Sequence, residues 1–410
     1  MTAATDVAII GAGPYGLSIA AHLKDAGVQF RIFGQPMLNW RTRMPRGMHL
    51  KSDGFASNLY DPERRFTLRN YCRDNALPYS DLGLPVPVEV FSAYGTAFQS
   101  QCVPSLDTRT VRALERQPRG FKLTLDDGTP VEARRVVVAT GISDYEFLPE
   151  ILAQLPTTVC SHTADNHDLA KYRDKDVVVI GRGASSTDTA ALLRAAGARA
   201  QIVSREPIEF HMPPSGKPRT VWERLRDPNF GLGPNFRSAV YTLFPGVFHF
   251  LPVRLRQRIV RRHLGPAAVW FIRDQLVGHV PLHSGYEVTS AAARDGKASL
   301  IFSNRAGQEL RLEVDHVICG TGYQVALERL PFLAESLRSQ VELEGTSPRL
   351  SRHFEASVPG LYFVGLASAV AFGPLTRFAL GAKYTARTLA RHLRASRSHV
   401  AVENLVGARS

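Results

Sequence analysis

Short apolar runs that end in glycine punctuate this chain. The first covers residues 7–10 and leads into Gly11-Ala12-Gly13-Pro14-Tyr15-Gly16. Four apolar residues in a row predict a buried strand. Residues 17–25 then predict a helix, and Gly27 stands where a helix C-terminus favours glycine. The pattern recurs at residues 177–180, followed by Gly181-Arg182-Gly183-Ala184-Ser185-Ser186, a predicted helix through Ala196, and Gly197. The two units align without a gap: Gly11 falls on Gly181, Gly16 on Ser186, Gly27 on Gly197. The next predicted strands align as well, residues 30–33 with 200–203. A gapless match in residue type and element order predicts two copies of one unit.

Strand, glycine turn and helix in that order predict a dinucleotide site. The first glycine permits the tight turn. The second lets the backbone approach a pyrophosphate, and the third lets helix and strand pack closely. The phosphates then sit on the helix N-terminus. The candidate binding residues are Gly11, Gly13, Pro14, Tyr15 and Gly16 in the first unit, and Gly181, Gly183, Ser185 and Ser186 in the second. The end of each second strand meets a ribose. There the first unit carries Gly34 and Gln35, the second Ser204, Arg205 and Glu206. An arginine accommodates a 2′-phosphate, so Arg205 favours NADPH over NADH.

Later, each unit is followed by a hairpin and a second glycine signal. Residues 121–125 and 131–134 flank Asp126-Asp127-Gly128-Thr129, and residues 136–139 then end in Thr140-Gly141. Residues 300–304 and 309–314 flank Ala306-Gly307, and residues 317–319 lead to Gly320-Thr321-Gly322-Tyr323. At each Thr-Gly the chain can cross between domains beside a bound nucleotide. Residues 361–364 form a last strand ending at Gly365. Phe372-Gly373-Pro374-Leu375 then predicts the N-terminus of a long helix, roughly residues 375–393, with its dipole aimed at a ligand and Arg377 close by. Residues after Arg394 read as a loose tail.

Residues 207–281 break the pattern. Prolines, glycines, arginines and large apolar residues (Trp222, Phe230, Phe236, Phe244, Phe250) mix there, over a length that calls for its own helical structure. Within it, residues 253–264 place five arginines around Val253, Ile259, Val260 and Leu264. Such a helix suits a membrane surface or, with its basic face in solvent, the flank of the protein; the second reading is preferred.

Composition narrows the picture further. At 410 residues the chain suggests two or three domains. No apolar run approaches the roughly 20 residues of a membrane span, and the first strand begins too early for a signal peptide, so a cytoplasmic home is expected. Cys72, Cys102, Cys160 and Cys319 are scattered without a C-x-x-C, which argues against a disulfide framework, a metal site and a dithiol motif. A net charge of +13 favours anionic ligands, dinucleotides among them; without a nucleic-acid motif, no nucleic-acid partner is expected.

These features resemble the flavoproteins with two dinucleotide-binding domains, and among them the NADPH-dependent class B flavin monooxygenases of N-hydroxylating and Baeyer–Villiger type. The residues that carry the likeness are 11–16, the pattern Gly181-x-Gly183-x-Ser185-Ser186-x-Asp188, both Thr-Gly segments, and Gly365 with Gly373-Pro374. It covers nearly the whole chain outside 207–281. It implies an α/β fold of two Rossmann-like domains. A discontinuous FAD domain (1–150 and 320–410) is interrupted by an NAD(P) domain (151–319) that contains the partly helical insertion 207–281, a substrate cover. It implies FAD on the first glycine turn and NADPH on the second. It also implies O2 and a small-molecule substrate, with a flavin hydroperoxide oxygenating a nucleophilic atom. Trp40 and Arg41 would pack near the flavin. Lys51, Ser52 and Asp53 would face it or form a surface turn, and Arg377 would help hold negative charge. Three positions depart from the family pattern: Gly34 where a ribose-binding Glu is usual, Leu366 where Asp often follows the late glycine, and Ser161-His162 without the family's preceding Phe and Gly. A reductase or oxidase, and a nucleotide sensor without turnover, are the competing readings.

Overall fold

The computed structural model describes residues 4–211, 231–233, 236–262 and 267–407. Trp222, Phe230 and Leu264, named above, lie outside these. The first unit folds as β1 (Thr5–Ile10), α1 (Pro14–Asp25) and β2 (Phe30–Phe33). The helix starts three residues earlier than its periodicity suggests. Pro14 occupies the first turn, where its missing N–H costs nothing and its fixed φ suits the helix. A hairpin strand β3 (Val111–Gln117) follows, then β4 (Gly120–Leu125) and β5 (Pro130–Val138).

What reads as two strands, 131–134 and 136–139, is the single strand β5. Its first half pairs antiparallel with β4, and along its length it lies parallel to β1. Exposed and buried positions alternate over the first half, while the last four residues are all buried. One face of the hairpin meets water; the parallel core does not.

The second unit repeats the first. After β6 (Cys160–His162) come β7 (Asp176–Ile180), α2 (Ala184–Ala195) and β8 (Arg199–Ser204). The insertion contributes α3 (Phe236–Leu243), α4 (Pro245–Phe248) and α5 (Val253–Arg262). Next are β9 (Leu282–Ser284), the antiparallel strands β10 (Tyr286–Arg294), β11 (Lys297–Asn304) and β12 (Glu309–Val314), and then β13 (His316–Cys319). The chain finishes with β14 (Leu361–Phe363) and α6 (Ala382–Gly407).

Two sheets result. β2-β1-β5-β4-β3 form one, with β14 parallel to the end of β5. β6-β13-β7-β8-β9 form the other, all parallel. The sheets exchange chain at the two Thr-Gly segments, which meet at an antiparallel bridge between Glu146 and Tyr323.

The structure corrects three expectations. The long helix begins at Ala382: extended Phe378 (φ −119°, ψ 157°) ends the 3-10 turn Pro374–Arg377, and a second 3-10 turn, Ala379–Gly381, leads into the helix. The backbone after Arg394 is helical to Gly407 rather than loose. Cys160 and Cys319 are scattered only in sequence: on adjacent strands their buried Sγ atoms lie 3.8 Å apart.

Candidate functional site

Gly11 sits at φ +110°, a conformation that side chains resist, and a Cβ there would lie 2.5 Å from the Ala139 carbonyl oxygen. A Cβ on Gly16 would lie 1.9 Å from the Gly11 carbonyl oxygen, so helix and turn fit only without one. Gly13 is different. Its Cβ would meet nothing within 4 Å, and the residue faces a cavity of about 530 Å³. The first intrahelical bond runs from Leu17 N to Gly13 O (3.0 Å), which leaves the N–H groups of Tyr15 and Gly16 at the open end of α1.

Many expected residues line this one cavity: Gly11, Gly13, Pro14, Tyr15, Gln35, Trp40, Thr140, Gly141, Gly365 and Arg377. Its size lies within the usual range for small-molecule sites, about 300–1,000 Å³. Trp40 is braced edge-on by Phe91, with ring centroids 4.7 Å apart. Arg41 is turned away and donates to the Pro36 carbonyl. At the β2 end, Gly34 N–H donates to Asp107 O (3.0 Å), and Gln35 Nε2 donates to Thr108 O (3.2 Å). This brings Thr110 and Arg112 into the wall, a cationic contribution from the hairpin that no motif announces.

Tyr15 joins the opening turn to the late segment. Its hydroxyl lies 2.9 Å from Thr376 O and 2.8 Å from Phe378 O. Burial pushes its ionisation far above the ordinary tyrosine range, so it stays a neutral donor. From this late segment, Thr376, Arg377, Phe378 and Ala379 line the cavity. Phe372, Gly373, Pro374 and Leu375 are buried just before it and do not reach the cavity. The turn after Gly373 is four residues of 3-10 helix, so the long-helix dipole expected there is absent.

The second turn is built alike. Gly181 lies at φ +129° with its would-be Cβ 2.5 Å from Gly320 O. Gly183 caps α2, and Thr187 N to Gly183 O (3.1 Å) is the first helical bond. The N–H groups of residues 184–186 therefore stand at the helix end, where Ser185 is exposed. Ser186 is buried and donates to Gly320 O (3.1 Å). Ser204 is buried at the end of β8 and donates to Glu206 O. Arg205 is exposed, 3.8 Å from Glu287, while Arg182 pairs with Glu206 at 2.5 Å.

Thr321, Gly322 and Tyr323 form the crossing. Thr321 Oγ1 donates to Phe147 O, and Gly322 O accepts from Phe147 N (2.9 Å). His162 accepts Ala164 N–H on Nδ1 and lies 3.1 Å from Gly322 O through Nε2, which fixes the Nε2–H tautomer. Burial lowers its basicity, so it is a neutral brace of the crossing.

Of the Lys51–Asp53 run, the last two residues hold a turn. Ser52 Oγ meets Ser57 Oγ at 2.8 Å, and Ser57 Oγ donates to Asp53 O. Lys51 is exposed, with Nζ donating to Ala267 O (3.3 Å). Desolvation lowers its basicity; Asp188 opposes that shift and Arg377 adds to it. Asp188 comes from α2, is 5% exposed, and its Oδ1 has no hydrogen-bond partner among the described residues. Burial raises its carboxyl to about 7 against the pull of Lys51. A lysine before the first hairpin, an aspartate on the second unit's helix and a late arginine thus lie within electrostatic range of one another. Asp188 belongs to the second glycine pattern, and nothing in the sequence pairs it with Lys51.

The family model for pyridine nucleotide-disulphide oxidoreductases matches residues 8–221, from β1 through both glycine turns. The chain belongs to this family. It is 25% identical over 280 residues to trimethylamine monooxygenase of Pelagibacter sp. (strain HTCC7211), covering 60% of this chain and 62% of that relative. The match thus spans less than two thirds of the relative's length. Ornithine N-hydroxylase of Kutzneria sp. 744 superposes with a TM-score of 0.73 at 16% identity, covering 96% of this chain and all of the other. Bacillithiol disulfide reductase of Bacillus cereus superposes with a TM-score of 0.63 at 19% identity, covering 96% and 100%. One fold therefore carries both an N-hydroxylase and a disulfide reductase. No described helix is long and apolar enough to cross a membrane.

Proposed function

We propose that this chain is an FAD-dependent, NADPH-using monooxygenase acting on a nucleophilic nitrogen of a small molecule. The observation that carries the reading is the cavity at Gly13. The backbone there leaves open space where a Cβ would stand, beside an open helix end and within a pocket of about 530 Å³ that reaches Arg377. Residues 1–150 and 320–410 then form the FAD domain and 151–319 the NAD(P) domain, matching the membership of the two sheets. Bound FAD would supply hydride acceptance and oxygen activation. Tyr15 and Gly16 N–H groups would hold its diphosphate, with Gln35 and Arg112 at the adenosine end. Trp40 and the Thr376–Ala379 turn would close the cavity on either side. On the second turn, residues 184–186 would hold the NADPH diphosphate, and the exposed Arg205 its 2′-phosphate. The named activity of the trimethylamine relative supports an amine substrate, as does the ornithine in the Kutzneria structure. Four unpaired cysteines suit a reducing cytoplasm.

The test is a screen of amines with purified protein, NADPH and O2, reading product mass and peroxide together. One amine should gain a single oxygen with little peroxide released. Peroxide formed one-for-one with NADPH, with every amine unchanged, refutes the reading in favour of an oxidase.

A further inference from the structure

Residues 228–273 contain seven arginines and no aspartate or glutamate. Among them, the helices α3 to α5 are docked on one side. Arg256 is buried, donating from Nε to Leu251 O (2.9 Å) and from Nη1 to Val370 O (3.1 Å), with Nη2 3.0 Å from Glu344. Val260 O accepts from Arg377 Nη1 (3.2 Å), and the Phe248 ring packs over Gly373. The preferred expectation for the basic helix, docking on the protein, therefore describes its inner side.

The outer side is unusual in composition. Phe236 and Phe250 are 75% and 76% exposed, and Leu243, Phe244 and Val247 are each more than half exposed. On α5, Leu255, Arg258 and Arg262 are exposed at spacing i, i+3, i+7 and share a face, flanked by exposed Arg254 and Arg261. None of these four arginines has an ion pair among the described residues. Apolar side chains projecting singly from successive turns need no shaped pocket. A bilayer interface accepts them, while arginines beside them bind anionic headgroups.

We propose that residues 236–262 form a docking surface for an anionic lipid bilayer. The contact is superficial, since no described helix can span a membrane. Charge complementarity selects the lipid: a segment rich in arginine and without acidic residues has no electrostatic attraction for a second copy of itself. The surface does not depend on the proposed activity, so the two readings stand or fall separately.

The test is co-sedimentation of the purified full chain with vesicles of phosphatidylcholine alone or mixed with phosphatidylglycerol. Partition should favour the mixed vesicles at least tenfold at low salt and weaken as salt screens the charges. Each arginine near the surface is worth about fivefold, so the double variant R258E/R262E should lower partition by about 25-fold or more. F250S should lower it about tenfold, and to the same degree at high salt, because its contribution is apolar. Both variants should keep the circular dichroism and bound flavin of the parent. Equal binding to neutral and mixed vesicles overturns the proposal, as does parental binding by R258E/R262E. Self-association or capture of an acidic protein, lost in these variants without any vesicle binding, overturns it too.

Discussion

The two glycine units solve one packing problem in opposite ways, and this can be tested. In the first unit the helix carries Gly16, and the neighbouring strand ends in Ala139. In the second the helix carries Ser186, and the strand ends in Gly320. A Cβ on Gly320 would lie 2.0 Å from Ser186 Oγ, 2.9 Å from its Cβ and 3.1 Å from its Cα. Gly320 has no positive φ, so alanine there meets no backbone strain. Rotating the serine hydroxyl away relieves the first contact but breaks its 3.1 Å bond to Gly320 O, costing about 1 kcal/mol. The contacts with Cβ and Cα remain and force strand and helix apart, at about 1–3 kcal/mol. Gly320→Ala should therefore cost about 2–4 kcal/mol. Ser186→Gly should cost about 2 kcal/mol, from the lost hydrogen bond and a glycine in a helix. Together they recreate the Gly16–Ala139 arrangement of the first unit, and the double variant should cost about 2–3 kcal/mol. Urea midpoints of the four proteins give the coupling, which should be about 2 kcal/mol in the compensating direction. Additivity within about 0.5 kcal/mol would refute the reasoning, because uncoupled sites do not share a contact.

Gly13→Val should fold with parental circular dichroism yet purify without flavin, because its side chain enters only the cavity, whereas Gly16→Ala should yield little folded protein; flavin bound to Gly13→Val at parental stoichiometry would remove the assignment. Arg205→Ala should raise KM for NADPH about 10- to 100-fold, as expected for a lost charge-assisted contact, and leave NADH within about twofold; equal effects on both would sink the 2′-phosphate contact. Asp188 has its carboxyl raised to about 7, so the folded state holds a proton that the unfolded state releases near 4. That contribution to stability is present at low pH and lost as pH rises through about 7, a loss of about 2 kcal/mol between pH 5 and 7. Asp188→Asn should remove that slope. Lys51, with its basicity lowered, acts oppositely, gaining stability as pH rises toward the ordinary lysine value. Parallel pH profiles of parent and Asp188→Asn urea midpoints would show that the carboxyl titrates normally.

What could be read from the sequence, and what could not, follows from how local each constraint is. The glycine turns are legible because they act within a few residues: Gly16 must clear the carbonyl of Gly11, and that requirement is written in the spacing itself. Strands β3 and β10 escaped notice for a local reason too. Each contains a register shift, between Val111 and Ala113 and between Val288 and Ser290, which breaks the alternation of period two on which recognition depends. The helix start at Gly373-Pro374 misled because the proline does begin a helical turn, and only the extended Phe378 ends it early. The remaining misses are tertiary. Arg112 reaches the cavity because a hairpin strand folds beside β2, and Asp188 on α2 comes within electrostatic range of Lys51, some 140 residues earlier in the chain. No spacing rule encodes either. The parts that bind what all such folds bind are therefore the legible ones. Lys51, Asp188 and Arg377 come into electrostatic range of one another only in the folded chain.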